Sequence, residues 1–283
     1  MYATPPGQSC LRRLLTLAAL LFVIVRPSYL AAADYLPGKV VRADLLTTNL
    51  NTAANFYSAV FGWQLRRNDP EGYIDAYIRG EPVATLATYT GARAPQDGSI
   101  WLPSISVVDV DAAVKAAKLN GGKVVEPSQR LPGIGRAAVI EDPNGAVVML
   151  LRNDNGDPAD SRARYNEWLW PELWTERPDS TAKFYNKVVG YNAVSRKGQQ
   201  GQDYRILGRD GTARASILRT PLADVESNWL LYMKVKSVRA TARAVVKNGG
   251  RILVPPMKGD LNADIAIVAD PTGGVFAIQA GGE

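Results

Sequence analysis

The sequence writes one passage twice. Asn55-Phe56-Tyr57-Ser58-Ala59-Val60-Phe61-Gly62 returns as Lys183-Phe184-Tyr185-Asn186-Lys187-Val188-Val189-Gly190, with 128 positions between Phe56 and Phe184. Three later landmarks keep that offset: Trp101 and Trp229, Gly121-Gly122 and Gly249-Gly250, Asp142-Pro143-x-Gly145 and Asp270-Pro271-x-Gly273. One offset shared by four separate signals marks an internal duplication, so the chain must fold as two copies of one unit. With 283 residues, 46% hydrophobic and 21% charged, two cores of roughly 120 residues each fit the length.

Residues 1–33 differ in kind. Arg12 and Arg13 precede an apolar run from Leu14 to Val25, followed by Arg26-Pro27 and Ala31-Ala32-Ala33. A basic start, an apolar stretch of this length and a small-residue site predict a secretory signal peptide over 1–33, and with it a periplasmic or secreted protein. The run is too short to span a bilayer, which needs roughly 20 apolar residues. An uncleaved anchor and a misplaced start codon are the alternatives. The 33 Lys and Arg against 27 Asp and Glu give +6, but three of the arginines precede residue 34, leaving 30 against 27. An excess that small, with no long basic run, argues against nucleic-acid binding and, after cleavage, against a membrane partner. The single cysteine, Cys10, also falls in the leader, so no disulfide is expected beyond it.

Beyond the leader the hydrophobic pattern alternates, then turns helical, then alternates again. Val41–Thr48 reads as a strand and residues 51–61 as a helix, with Ala53, Ala54, Tyr57, Val60 and Phe61 on one face. Gly62 stops it, and Thr52 or Asn51 is expected to cap its start. Strands are predicted at Trp63–Arg66, Tyr73–Arg79 and Val83–Tyr89, making a βαβββ unit. A second unit follows: strand Trp101–Val108, helix Val110–Asn120, then strands Lys123–Glu126, Arg136–Glu141 and Ala146–Leu151. Asp109 reads as that helix's cap, and Gly133-Ile134-Gly135 as a turn without the following helix that a phosphate loop needs. The polar stretch 153–164, with Gly156 and Pro158, separates a first domain (34–152) from a second (165–283) that repeats the order. The expected fold class is α+β.

These landmarks resemble the vicinal oxygen chelate superfamily, which includes glyoxalase I, bleomycin-resistance proteins and extradiol dioxygenases. The resemblance rests on Phe56-Tyr57 with Gly62, the run Trp101–Asp109, Gly121-Gly122 and Asp142-Pro143-x-Gly145, and on their repeats. Trp170-Pro171-Glu172-Leu173-Trp174-Thr175 is similar to the first strand of its tandem-domain branch, where the other half reads Arg42-Ala43-Asp44-Leu45-Leu46-Thr47. The resemblance implies two tandem glyoxalase-like domains, each curling two βαβββ units into a half-open barrel around one cavity. It also implies metal ligands on the first, fifth and last strands. Those positions fall on Arg42, Leu102 and Met149, and on Trp170, Leu230 and Ala277. None is a ligand of the family's usual kind, and the chain contains no histidine at all. Imidazole-based zinc, nickel and iron chemistry is therefore not expected, and no cofactor is assigned.

Strand alternation puts Arg42 and Asp44 on one face and Trp170, Glu172, Trp174 and Glu176 on the corresponding face of the second domain, joined by Tyr232. Trp101 and Trp229 fall on the opposite, helix-packed side. Glu172 and Asp44 are the candidate catalytic carboxylates, since burial among apolar groups suits an acid for proton transfer. The simpler reading pairs Asp44 with Arg42, and Glu172 with a backbone group or a lysine. The candidate ligand-contacting residues are Arg42, Ser104, Met149, Trp170, Trp174 and Tyr232. The sequence thus favours an exported, metal-independent protein binding a small organic ligand. The alternatives are a cofactor-free lyase, isomerase or hydrolase using Glu172 or Asp44 as base, and a non-catalytic interaction module. The duplication allows a monomer that pairs its own domains, and a homodimer remains open.

Overall fold

The computed structural model describes residues 34–68, 72–89, 98–198, 203–221, 225–259 and 263–281. The proposed leader, Cys10 included, lies outside them. Domain 1 runs β1 (Val40–Thr47), α1 (Leu50–Phe61), β2 (Gln64–Asn68), β3 (Tyr73–Ile78), β4 (Glu81–Thr88), β5 (Ser99–Ser106), α2 (Val110–Leu119), β6 (Lys123–Leu131), β7 (Gly135–Glu141) and β8 (Val147–Asn153). Domain 2 repeats it: β9 (Trp168–Thr175), α3 (Pro178–Val189), β10 (Asn192–Lys197), β11 (Asp203–Arg209), β12 (Thr212–Arg219), β13 (Asn228–Lys234), α4 (Val238–Lys247), β14 (Arg251–Lys258), β15 (Asp264–Ala269) and β16 (Val275–Ala280). Each domain is one eight-stranded sheet, ordered β2-β3-β4-β1-β5-β8-β7-β6 and β10-β11-β12-β9-β13-β16-β15-β14. The two βαβββ units of a domain meet where β1 runs antiparallel to β5, and β9 to β13. This is the α+β architecture of two tandem glyoxalase-like domains.

Two local expectations need correction. The cap of α1 is Asn49, whose side chain accepts from the Thr52 backbone N–H at 3.1 Å; Asn51 and Thr52 already lie within the helix. The strand read as Lys123–Glu126 continues through Pro127 to Leu131, because β6 is an edge strand. An edge strand tolerates the missing N–H, and the register shifts between Val124 and Glu126 and again between Glu126 and Gln129. Its counterpart β14 carries Pro255-Pro256 in the same way.

The repeated landmarks build the junction between the domains. Neither core belongs to one domain: the first packs Phe56, Tyr57, Leu45 and Leu86 of domain 1 against Leu231, Val245, Phe276 and Ile278 of domain 2. The second packs Ile105, Ala117, Ile140 and Val148 against Leu173, Tyr185, Val188 and Ile217. The helices therefore lie between the sheets, α1 beside α4 and α2 beside α3, leaving the other face of each sheet open. At the centre of the first core Tyr57 Oη donates to Asp270 Oδ2 at 2.7 Å and accepts from Trp101 Nε1 at 3.0 Å, all three groups buried. Asp270 comes from the other domain's turn, where its Oδ1 also holds the Thr272 and Gly274 backbone N–H groups. In the second core Trp229 Nε1 donates to Tyr185 Oη at 3.0 Å beside Asp142. The Tyr, Trp and Asp spaced through each repeat are thus one joint used twice.

The two joints are not equal. Around Tyr57 stand Phe61, Trp63, Trp168 and Phe276, with ring centroids of Tyr57 and Trp63 4.9 Å apart and of Trp101 and Trp168 4.8 Å apart. The positions related by the repeat are Val189, Tyr191, Val40 and Val148, so the second joint is largely aliphatic. Among the described residues no helix is long and apolar enough to cross a membrane.

Candidate functional site

The open face of each sheet collects alternate residues of neighbouring strands, since residues opposite one another in a ladder point the same way. In domain 1 Arg42 of β1 lies opposite Ser104 of β5, and Ser104 opposite Met149 of β8. In domain 2 Trp170 lies opposite Tyr232, and Tyr232 opposite Ala277. The row across the three strands therefore passes through Ser104 and Tyr232, two residues from the Leu102 and Leu230 that counting along the chain selects. Those two leucines face Asp44 and Glu172 instead.

In domain 1 this face is half polar and half apolar. Arg42 Nε donates to both oxygens of Asp44, at 2.7 and 3.0 Å, and its Nη2 donates to Thr85 Oγ1 at 2.7 Å. Thr85 passes its own proton to Asp75 Oδ1 at 3.0 Å, and Asn68 donates to Asp75 Oδ2 at 3.0 Å. Burial pushes the carboxyl pKa of both aspartates upward, opposed at Asp44 by the charge and hydrogen bond of Arg42 and at Asp75 first by the Thr85 hydrogen bond. Tyr77 Oη and Ser104 Oγ are buried without a hydrogen-bond partner among the described residues. The remaining half is a packed cluster of Leu102, Leu131, Ile134, Ala137, Val139, Met149 and Leu151. Ser104 at 0% and Met149 at 2% exposure are thus floor, and Arg42 is what the face presents. Asp44 at 1% exposure lies under its arginine, as the simpler reading of the sequence had it, and is not available as a base.

Domain 2 arranges the related positions differently. Glu172 is half-buried, and among the described residues it pairs with neither a lysine nor a backbone group. Its Oε1 accepts from Trp174 Nε1 at 2.8 Å and from Tyr232 Oη at 2.8 Å, and its Oε2 from Ser216 Oγ at 2.8 Å. Trp170 Nε1 in turn reaches Ser216 Oγ at 2.9 Å. An indole N–H only donates, so Ser216 must accept from Trp170 and turn its proton to Glu172; the carboxylate is left as acceptor at both oxygens. Trp174, Tyr232, Leu230, Ile267 and Ala277 pack beneath, with Trp170, Leu218 and Ile265 partly buried around them. Of the predicted residues, Glu172, Trp170, Trp174 and Tyr232 therefore converge. Glu176 does not: it lies past the end of β9, exposed, with Arg219 at 3.6 Å.

Sequence reading missed Ser216, and Thr85 and Asp75 in domain 1. The alternation Tyr73-x-Asp75-x-Tyr77 was a usable signal for the latter, and β3 does hold all three on the open face. Ser216 had none, because the fixed offset relates Thr85 to Ala213. The strand pairing, with Ser216 opposite Glu172 as Thr85 is opposite Asp44, makes Ser216 its partner. Elsewhere a surface cleft of about 560 Å³ lies between the Pro143–Gly145 turn and Thr175–Arg177; its exposed Lys123, Glu176, Arg177 and Glu226 mix both charges.

A family model for the Glyoxalase/Bleomycin resistance protein/Dioxygenase superfamily matches residues 39–150 and again 169–278. The protein named "Putative glyoxylase CFP32" of Mycobacterium tuberculosis (strain CDC 1551 / Oshkosh) is 31% identical over 250 residues, which cover 87% of this chain and 96% of that protein. The "Anthracycline biosynthesis protein DnrV" of Streptomyces peucetius is 27% identical over 260 residues, covering 86% and 94%. Among solved structures, the Mn(II)-bound glyoxalase from Novosphingobium aromaticivorans superimposes with a TM-score of 0.60 at 17% identity, over 86% of this chain and 82% of that one. The 2,3-dioxygenase LapB from Pseudomonas sp. KL28 gives 0.59 at 15% identity, over 89% and 94%.

A metal like the manganese of that glyoxalase does not fit the donors present here. The three-strand row offers a guanidinium, a hydroxyl and a thioether in domain 1, and an indole, a phenol and a methyl group in domain 2. Among the described residues no three of His, Cys, Asp and Glu gather in one place. Matched by the family model over both halves and by a relative along nearly its whole length, the chain belongs to the Glyoxalase/Bleomycin resistance protein/Dioxygenase superfamily, with the family's domain present twice in tandem.

Proposed function

We propose that the protein is an exported, metal-independent member of this superfamily that holds a small organic ligand on the open face of domain 2. The observation that carries the reading is Glu172, a part-exposed carboxylate fixed through both oxygens by neutral donors and set among Trp170, Trp174 and Tyr232. Aromatic walls with a few fixed polar groups are what small-molecule sites offer. Domain 1 gives less, because its Arg42 and Asp44 satisfy each other. Export rests on the sequence pattern of residues 1–33, and metal independence on the absence of histidine from the chain together with the donor row. The test is native mass spectrometry of the protein purified from its own host without chelators. A co-purifying organic mass that is lost in Trp170→Ala supports the reading; a ligand retained in that variant places the site elsewhere.

Proton transfer by Glu172 is the second reading, favoured by the acceptor position that its three hydrogen bonds leave open. It requires turnover of a carbonyl or ester substrate that disappears in Glu172→Gln while the fold is kept.

A further inference from the structure

The duplication supplies its own control for Glu172. By strand pairing, Asp44, Arg42 and Thr85 of domain 1 occupy the positions of Glu172, Trp170 and Ser216 in domain 2. In domain 1 a guanidinium sits on the carboxylate and hydroxyl together, Nε on Asp44 at 2.7 Å and Nη2 on Thr85 at 2.7 Å. In domain 2 the indole N–H of Trp170 repeats the hydroxyl contact, reaching Ser216 at 2.9 Å. It repeats the hydrogen bond but not the charge. Glu172 is left with three neutral donors, and among the described residues no Lys or Arg forms an ion pair with it.

A half-buried carboxylate without a counter-charge is held at a cost that an arriving cation relieves. The surroundings select what kind of cation. Oε1 is saturated by two hydrogen bonds and Oε2 has one, so a single N–H donor finds a position on Oε2. Trp170 and Trp174 stand two residues to either side of Glu172 on the same face of β9, and an aromatic face near a cation attracts it further. The wall beyond is apolar, with Leu218 and Ile265 partly buried against Trp170. Among the described residues no group of three or more His, Cys, Asp or Glu gathers here to hold a bare metal ion.

We propose that the open face of domain 2 takes an organic cation with an N–H, a protonated amine or a guanidinium carried on an apolar body. Its N–H donates to Glu172 Oε2 and its carbon skeleton lies against Trp170. This rests on the reading of that face as the ligand site and adds the ligand's charge. Domain 1 has the equivalent cation built in as Arg42 and takes none.

The test titrates the full protein at neutral pH with benzylammonium chloride, benzyl alcohol and sodium benzoate, three probes sharing a ring, followed by calorimetry and tryptophan fluorescence. Benzylammonium is expected to bind at least tenfold more tightly than the alcohol, benzoate more weakly still, and the preference should shrink as salt is raised. Glu172→Gln should bring benzylammonium down to the level of the alcohol. Trp170→Arg, which copies the domain 1 arrangement, should remove benzylammonium binding by tenfold or more. Thermal melting of both variants establishes that they fold, and where Glu172→Gln does not, Trp170→Arg carries the test. Alcohol or benzoate binding as tightly as benzylammonium, and lost in Trp170→Ala, overturns the cation and leaves the ligand site standing. Benzylammonium binding that is unchanged in both charge variants, or absent through the millimolar range, overturns the proposal.

Discussion

Replacing Tyr57 by Phe should separate the two inter-domain joints by their energies. The hydroxyl donates to Asp270 and accepts from Trp101, which are 0% and 3% exposed, so its loss leaves a carboxylate oxygen and an indole N–H both buried and without that partner. An orphaned buried group costs about 1–3 kcal/mol, and more when charged, so Tyr57→Phe is expected to lose about 3–5 kcal/mol. At about 2–4 °C per kcal/mol for a chain of this size, melting should fall by roughly 10 °C. Tyr185→Phe is the comparison. Tyr185 Oη accepts from Trp229 at 3.0 Å, and among the described residues Asp142 Oδ2 has no hydrogen-bond partner. Only one group is then orphaned, at about 1–3 kcal/mol. Urea unfolding followed by far-ultraviolet circular dichroism measures both. Equal losses, or a loss under about 1 kcal/mol for Tyr57→Phe, would refute the view that this hydroxyl locks the domains together.

Because each core draws side chains from both domains, residues 165–283 alone are expected to show no cooperative unfolding transition, whereas the whole chain unfolds in one; calorimetry on both decides it. Arg42→Met strands the buried Asp44 and should cost about 3–5 kcal/mol in urea, while the double variant Arg42→Met/Asp44→Leu should recover most of it. Asp75 has a folded pKa raised above its usual 3.8, chiefly by burial, so the folded state holds that proton more tightly and its contribution falls as pH rises from about 4 through the raised value. Asp75→Asn should therefore flatten the decline of stability over that window, and an unchanged slope would count against the assignment. Gly135 has φ 151°, and a Cβ there would come within 2.0 Å of the Arg152 carbonyl oxygen, so Gly135→Ala should cost at least ~2 kcal/mol by thermal melting.

The architecture was legible because duplication repeats its signals at one spacing. Phe56-Tyr57, Trp101 and Asp142-Pro143 located the units, and the structure gives them a common task that the sequence could not: Tyr57 and Trp101 of one domain meet Asp270 of the other. The site was legible only along a strand. Alternation put Glu172, Trp170 and Trp174 on one face, whereas its cross-strand partners depend on register. The count chose Leu102 where the ladder brings Ser104 into the row with Arg42 and Met149. The simpler reading gave Glu172 a lysine or a backbone partner, whereas its donors come from Trp174, Tyr232 and Ser216. Ser216 stayed hidden because the spacing between β9 and β12 is three residues longer than between β1 and β4, which breaks the fixed offset at β11 and β12.

The measurement that bears most directly on metal-independent binding at domain 2 is the affinity for the co-purified ligand before and after exhaustive chelation, with elemental analysis of the same samples. The account predicts unchanged affinity with metal well below one atom per chain. One metal per chain, removed by the chelator together with ligand binding, would contradict it.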